Sequence, residues 1–378
     1  MRKIRTAILG AGFMGRVHTE SVRRLGNVEV VAAGAVTAQE ASAFARACDI
    51  ERATGNAHEL LTDPNIDVVH ICTPNDLHFP MAQEALRSGK HVLCEKPLAT
   101  STADARALVK LADETGLVNG VCFTIRAYPQ VRNLRSIIAA GEIGEVLVVQ
   151  GTYSQDWLLY DTDWNWRIET GPSRTFADIG SHWCDLVEFV TGLRITSVCA
   201  GLHTFLKTRK RPKGEVETFA GKTSAPQDYT EVPIKTEDFG SMIFELGNAR
   251  GAMTVSQVSA GRKNRLVIEI YGSKAGITWD AERPDELWIG QRNSPNLISV
   301  KDPSLMREDA RPFADLPGGH SEGYDDSFKQ TMRRFYRRVA DRNSPVEYPV
   351  FADGLRQMQV LDAVLESSAK RAWVDVAH

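Results

Sequence analysis

Across the first 125 residues, short apolar runs alternate with segments of helical spacing, and this alternation restricts the fold more than any other feature. Ile4–Leu9 is an apolar run ending in glycines, Phe13–Leu25 has helical spacing, and Val28–Ala33 is a second run followed by Ala41–Ala47. Asp67–Cys72, His91–Cys94 and Val118–Phe123 continue the runs, with helices predicted over Leu77–Ser88 and Thr102–Thr115. Short continuous apolar runs separated by helices describe parallel strands covered on both faces by their crossovers. Beyond residue 125 the pattern changes. One helix is predicted from Pro129 to Ala140, closed by Gly141, and then strands dominate: Val146–Tyr153, Ile195–Ala200, Gly240–Leu246, Ala252–Gln257 and Leu266–Gly272. A helical block, Ser181–Thr191, lies among them. Strands following one another with few helices predict a large open, mostly antiparallel sheet.

At roughly 150 residues per domain, a chain of 378 residues suggests two domains. The expected division is 1–125, where short apolar runs and helices alternate, and 126–378, a second α/β unit in which strands dominate. Leu355, Met358, Leu361, Val364 and Leu365 recur at helical spacing, which predicts a C-terminal helix at about 353–369 packing back on the core. Hydrophobic residues make up 43% and charged residues 25%, an ordinary globular balance. The net charge of −3 provides no basic face for nucleic acid. No apolar run reaches the length of about 18 residues that a membrane span requires. The basic start, Met1-Arg2-Lys3-Ile4-Arg5, is followed by too short an apolar stretch for a secretory signal. Cys48, Cys72, Cys94, Cys122, Cys184 and Cys199 form no C-x-x-C pair, so reduced thiols in a cytoplasmic protein are expected, with no metal cassette.

Gly10-Ala11-Gly12-Phe13-Met14-Gly15 matches G-x-G-x-x-G and stands between the first predicted strand and helix. That context makes it a dinucleotide-binding turn, and the first unit a Rossmann-type fold. Gly10 permits the tight turn, Gly12 allows a pyrophosphate to approach the backbone, and Gly15 lets the helix lie close to the sheet. Such a helix N-terminus presents N–H groups to phosphates. The second strand should end in an acidic residue for the adenosine ribose. Instead it reads Val31-Ala32-Ala33-Gly34-Ala35-Val36-Thr37, without Asp, Glu or Arg. Thr37 could donate to either ribose form, and with no local cation NAD is expected over NADP.

Two further clusters carry chemistry. Cys94-Glu95-Lys96-Pro97 follows a short strand, and an extended residue before proline would project Lys96 from the carboxyl end of the sheet. A lysine there can hydrogen-bond a substrate hydroxyl and favour its developing alkoxide. Asp178-Ile179-Gly180-Ser181-His182 places a carboxylate and an imidazole four residues apart. On one helical face the carboxylate would orient a histidine that exchanges protons near neutral pH. A helix cap with a packed histidine fits the spacing equally well.

Residues 153–167 hold three of the seven tryptophans and two tyrosines, together with Asp, Asn and Arg. This composition suits a pyranose, whose C–H faces stack while its hydroxyls hydrogen-bond; a core or interface cluster would account for part of it. Arg126 and Tyr128, leaving the last parallel strand, are candidate pocket residues. Gly318–Tyr324 could carry His320 to the pocket or form a surface turn. The basic run Lys207–Lys213, within the polar segment 202–233, is expected to be a solvated arm, or else an arm reaching a neighbouring subunit.

Taken in order, Gly10–Gly15, Thr73-Pro74-Asn75 with His78, Glu95-Lys96-Pro97 and Asp178–His182 resemble the Gfo/Idh/MocA oxidoreductase family over nearly the whole chain. The resemblance implies an N-terminal Rossmann domain and a C-terminal α/β domain whose open sheet mediates oligomerisation, as a dimer or tetramer. It implies hydride transfer between NAD(P) and a ring secondary alcohol of a sugar, glycoside or cyclitol. Lys96 would lie between substrate and nicotinamide, His182 would be the general acid/base, and Asp178 would bind substrate and tune His182. Thr73, Pro74, Asn75, His78 and Glu95 would line the cofactor with Gly10, Gly12, Phe13, Met14, Gly15, Thr37 and Lys96. Trp166, Arg167, Arg126, Tyr128 and His320 would complete the substrate pocket. Ala35 departs from the pattern, because many NAD-dependent members carry an acidic residue there. Two other readings follow from the same residues: a redox-neutral, NAD-dependent glycoside hydrolase, and a non-catalytic nucleotide-binding regulator.

Overall fold

The apolar runs of the N-terminal half form a six-stranded, wholly parallel sheet in the order β3-β2-β1-β4-β5-β6. The computed structural model describes residues 3–213 and 228–377. In chain order the first unit has β1 (Ile4–Leu9), α1 (Phe13–Arg23), β2 (Val28–Gly34), α2 (Ala38–Ala47), β3 (Arg52–Thr54), α3 (Ala57–Leu61) and β4 (Val68–Ile71). It continues with α4 (His78–Arg87), β5 (His91–Cys94), α5 (Thr102–Thr115) and β6 (Asn119–Val121). The strand order reverses between β1 and β4, which opens a crevice at their carboxyl ends, where ligands bind in such sheets. The apolar runs of β1 and β4 end there, at Gly10 and Cys72, so the pattern that makes the strands also places the functional turns.

The second unit begins with α6 (Pro129–Ala139) and β7 (Val146–Ser154), followed by α7 (Ser181–Thr191), β8 (Ile195–His203), β9 (Thr208–Pro212) and β10 (Tyr229–Pro233). Then come β11 (Phe239–Leu246), β12 (Ala249–Ser256), β13 (Arg265–Gly272), β14 (Ala275–Asp280), β15 (Glu286–Gln291) and β16 (Leu297–Val300). Nine strands form the order β16-β15-β14-β13-β7-β12-β11-β8-β17, with β17 at Val374–Asp375. Every pairing is antiparallel except β7 with β12, as the strand-rich pattern predicted. Trp183 of α7 is fully buried and donates its indole N–H to the Val267 carbonyl at 2.9 Å. A Cβ on Gly151 would lie 2.0 Å from that carbonyl oxygen and 2.9 Å from the indole nitrogen. Only glycine leaves room for this anchor, which seats the first turn of α7 on the sheet.

The division into units differs from the sequence expectation. Unit one comprises Met1–Tyr128 with Glu322–Met358, and unit two Pro129–Ser321 with Gln359–His378. α8 (Tyr324–Ala340) was not predicted and belongs to the first unit. Its Phe328, Met332, Phe335 and Tyr336, spaced for one helical face, share a core with Ile8, Val30, Val68 and Leu93. α9 (Phe351–Lys370) follows the predicted C-terminal helix and runs from one unit into the other. Its lead-in also covers the edge strand β6, since the Val121 N–H donates to Pro349 and Asn119 accepts from the Phe351 N–H. No helix among the described residues is long and apolar enough to cross a membrane.

The expected basic arm is corrected in the same way. Thr208–Pro212 is a β-strand paired with β10, and Arg209 is fully buried. Its guanidinium donates to the carbonyls of Leu158 and Tyr160, each at 2.8 Å, and to Asp238 at 2.9 Å. Arg174 meets the same carboxylate. Burial works against the charge of Asp238, yet the Leu206 N–H and the two guanidiniums hold its carboxyl below the usual range. Lys210 and Arg211 pair with Asp161 and Glu169. The basic residues therefore fasten residues 158–169 in place; residues 214–227 of the expected arm lie outside the described residues. Removing a buried ion-pair partner is costly, so Arg209→Ala should lower the unfolding free energy by about 3 kcal/mol. Urea denaturation followed by far-UV circular dichroism measures this, and a loss under about 0.5 kcal/mol, the size of a neutral surface change, would contradict it.

Candidate active site

In the first unit the glycine turn is built by close contacts. Gly10 has φ +113°, and a Cβ there would lie 2.4 Å from the Cys72 carbonyl oxygen. A Cβ on Gly15 would lie 2.0 Å from the Gly10 carbonyl oxygen. At Gly12 nothing stands within 4 Å of where a Cβ would be, and α1 starts there without a side-chain cap. This open cradle at a helix N-terminus fits a dinucleotide pyrophosphate. Phe13 is exposed and Met14 half-buried beside it. Thr73, Pro74 and Asn75 follow β4 at the same end of the sheet, and Glu95 and Lys96 follow β5. Glu95 is buried, whereas Lys96 is half-buried.

Two residues predicted at the cofactor have defined local roles. Thr37 caps α2: its hydroxyl accepts the Glu40 N–H at 3.1 Å, and the Glu40 carboxylate accepts the Thr37 N–H at 3.1 Å. His78 is fully buried, with Nδ1 2.6 Å from the Pro97 carbonyl oxygen and Nε2 2.9 Å from that of Thr73. It lies between the turns that carry Thr73-Pro74-Asn75 and Glu95-Lys96-Pro97, and a ring with one proton donates to one of the two carbonyls. His18, Glu95 and Cys122 bring their polar atoms within 4.8 Å of one another, a grouping that no spacing in the sequence announces.

In the second unit, Phe176–Gly180 is a π-helical turn running into α7, not the regular helical turn assumed for Asp178 and His182. Gln257, fully buried at the end of β12, donates to the Asp178 carboxylate at 3.0 Å, and Arg167 Nε lies 3.5 Å from its other oxygen. The Arg167 guanidinium also lies 4.4 Å from the centre of the Trp166 ring. The aromatic segment and the D-x-G-x-H segment thus meet through Arg167. His182 is half-buried, with its ring 6.5 Å from that of Tyr153. Gln257 was missed because a glutamine ending a strand carries no motif.

Other residues predicted in the pocket have defined local settings. Arg126, buried, donates to Asp353 at 3.0 Å, and Asp353 accepts the Val350 N–H at the start of α9. Tyr128, two residues beyond Arg126, is also buried. His320 is exposed on a turn whose carbonyls at Leu316, Pro317 and His320 accept from the buried Lys301 ammonium. Trp157 and Trp164 pack against Leu158, Ile168 and Ile234 in a small core, leaving Trp166 as the tryptophan of this segment that meets Arg167.

The family model described as "Oxidoreductase family, NAD-binding Rossmann fold" matches residues 4–123, and the "GFO/IDH/MocA C-terminal domain" matches residues 131–278. The chain is 28% identical to a levoglucosan dehydrogenase of Pseudarthrobacter phenanthrenivorans, covering 100% of this chain and 99% of the relative. It is 26% identical to an inositol 2-dehydrogenase of Rhizobium meliloti, over 99% of each. A solved levoglucosan dehydrogenase in complex with NADH and levoglucosan superimposes with a TM-score of 0.89 at 26% identity, covering 100% of both chains.

Burial depresses the proton affinity of His70, His78 and His91 in the first unit, and that of His91 to a pKa of about 4. Below the ordinary value of about 6.5 the unfolded chain takes up protons that the folded one refuses. The stability these groups contribute is therefore present above pH 6.5 and lost as pH falls, for His91 between 6.5 and about 4. His91→Gln should flatten the decline of the urea midpoint over that window by the equivalent of about 2 kcal/mol. An unchanged slope would contradict the assignment.

Proposed function

The chain belongs to the Gfo/Idh/MocA family of oxidoreductases and carries its NAD-binding Rossmann domain, and on that premise we propose that it is an NAD-dependent dehydrogenase. Its substrate is a ring secondary alcohol of a sugar, glycoside or cyclitol, or the corresponding ketone. The observation that carries this reading is the Asp178 carboxylate held by Gln257 and Arg167 just before His182 in the first turn of α7. Full-length similarity to dehydrogenases of levoglucosan and inositol supports the substrate class.

When bound, NAD supplies the hydride acceptor at its nicotinamide ring. The protein's part is to position the carbinol and manage its proton. His182 takes the hydroxyl proton as general base, with an imidazole suited to the task near neutral pH. Asp178 accepts a hydrogen bond from a substrate hydroxyl and favours the imidazolium once it forms. Lys96 donates to the reacting oxygen and stabilises the charge that develops there. Trp166 offers an apolar face to the ring while Arg167 reaches its hydroxyls. Reduction runs the same steps in reverse, with His182 as acid.

NAD is the proposed coenzyme, with NADP accepted less well, because the end of β2 carries neither an acidic residue nor an arginine. We further propose a cytoplasmic homo-oligomer built through the open face of the large sheet, where Val148 and Ile243 are exposed. Purified protein supplied with NAD or NADP and a panel of anhydro-sugars, pyranoses, glycosides and cyclitols should yield reduced nicotinamide at 340 nm. Lys96→Ala and His182→Ala should each lower kcat/KM by about 10²-fold or more, with NAD affinity little changed in His182→Ala. Glycoside cleavage without net reduction would move the assignment to a redox-neutral hydrolase. Undiminished activity in Lys96→Ala would overturn the mechanism.

A further inference from the structure

Four hydrogen bonds run through the interior of the first unit and end at the carboxylate preceding Lys96. Thr6 Oγ1 lies 2.6 Å from the Tyr336 hydroxyl, which lies 2.8 Å from His70 Nε2. His70 Nδ1 lies 2.9 Å from His18 Nδ1, and His18 Nε2 lies 3.0 Å from Glu95 Oε1. The second carboxylate oxygen accepts the Lys96 backbone N–H at 3.2 Å. The five side chains come from β1, α8, β4, α1 and the end of β5, and none is more than 8% exposed. A polar string in a core is tolerated when all its members are satisfied, and here each side chain is bonded to the next. The Thr6 end has no outlet: both groups there are fully enclosed, and burial pushes the Tyr336 phenol well above its usual range. The string is therefore no proton conduit, and its working end is Glu95.

Proton counting gives it a direction. Burial holds His70 well below the usual histidine range, so its ring carries one proton and makes its two hydrogen bonds by donating once and accepting once. An ionised carboxylate only accepts. With a single proton on His18 as well, His18 donates through Nε2 to Glu95, His70 through Nδ1 to His18, Tyr336 to His70, and Thr6 to Tyr336. Every hydrogen points toward the same carboxylate, and each bond polarises the next. Other ionisable groups that interact with Glu95 include the thiols of Cys72, Cys94 and Cys122 and the imidazole of His78 from α4. Burial, and then Glu95 itself, keeps those thiols protonated, and burial disfavours the charged form of His78.

We propose that His18, His70 and Tyr336 are positioning residues that hold Glu95 as an oriented anion beside Lys96, where it favours the cationic oxidised nicotinamide over the neutral reduced one. The final clause rests on the dehydrogenase reading; the string and its direction do not. Neither the sequence motifs nor the similarity to other dehydrogenases assigns Tyr336 or His70 any part in cofactor chemistry.

Nitrogen-15 NMR of histidine-labelled protein reads the direction without any ligand. At pH 7 the string requires the proton of His18 on Nε2 and that of His70 on Nδ1; the opposite tautomers would overturn it. Calorimetry from pH 5 to 9 then gives the Kd for NAD+ and for NADH in wild type, Tyr336→Phe, Glu95→Gln and the double variant, with thermal melts confirming that each is folded. Glu95→Gln should shift the NADH-to-NAD+ Kd ratio by about tenfold toward NADH, a typical coupling. Tyr336→Phe, three hydrogen bonds away, should give about a threefold shift in the same direction, larger at low pH. It should add nothing in the Glu95→Gln background. A Tyr336→Phe variant that lowers the melting temperature but leaves the ratio and its pH dependence unchanged, or a shift that persists without Glu95, would reduce the string to core packing. Nucleotide binding with no alcohol oxidised would instead refute the dehydrogenase reading, and the NMR result stands apart from both.

Discussion

The approach of α1 to the turn after β1 is the constraint on which the first unit depends. With no side chain at Gly15, the helix rests where a Cβ would collide with the Gly10 carbonyl. That seating aims the helix N-terminus and the open side of Gly12 at one end of the sheet. It also turns His18, one turn further along, into the interior to meet His70 and Glu95. A cofactor cradle and a buried polar string are thus two consequences of one close approach. α8 completes the arrangement, because its apolar face closes the core and its Tyr336 reaches Thr6 and His70.

The second unit solves a different problem, that of holding a short motif on a broad sheet. Gly151 and Trp183 fix the start of α7, and the π-helical turn before it carries Asp178 toward Gln257 and Arg167. The buried pairing of Arg174 and Arg209 with Asp238 braces the flanking loop. Fixed charges, a fixed helix start and a stacked guanidinium suit a polyhydroxylated ring, whose hydroxyls demand directional partners.

Much of this was legible in the residues. The parallel sheet, its crossover helices and the glycine turn could be read because strands buried on both faces are continuously apolar and tight turns need glycine. The mostly antiparallel character of the large sheet was also readable. α8 was not, because its four apolar residues are interleaved with Lys329, Arg333, Arg334, Arg337 and Arg338, so that local composition hides the stripe. The basic run was misread for a related reason: charge density suggests solvent, yet the buried Arg209 pairs with Asp238, 29 positions along the chain. Gln257, Tyr336 and His70 carry no local signal at all, since only the folded topology brings them to their partners. The bond of Arg126 to Asp353 was equally unreadable, since the two lie 227 positions apart.

The central claim is direct hydride transfer from a ring carbinol to nicotinamide. The most direct measurement uses a substrate from the active panel carrying deuterium at the oxidised carbon, with mass spectrometry of the nucleotide recovered after one turnover. Deuterium retained in the reduced nicotinamide, together with a ketone product and a primary isotope effect on kcat/KM, is the predicted result. Deuterium lost to water, or product released with no reduced nucleotide and the glycosidic bond broken, would contradict it.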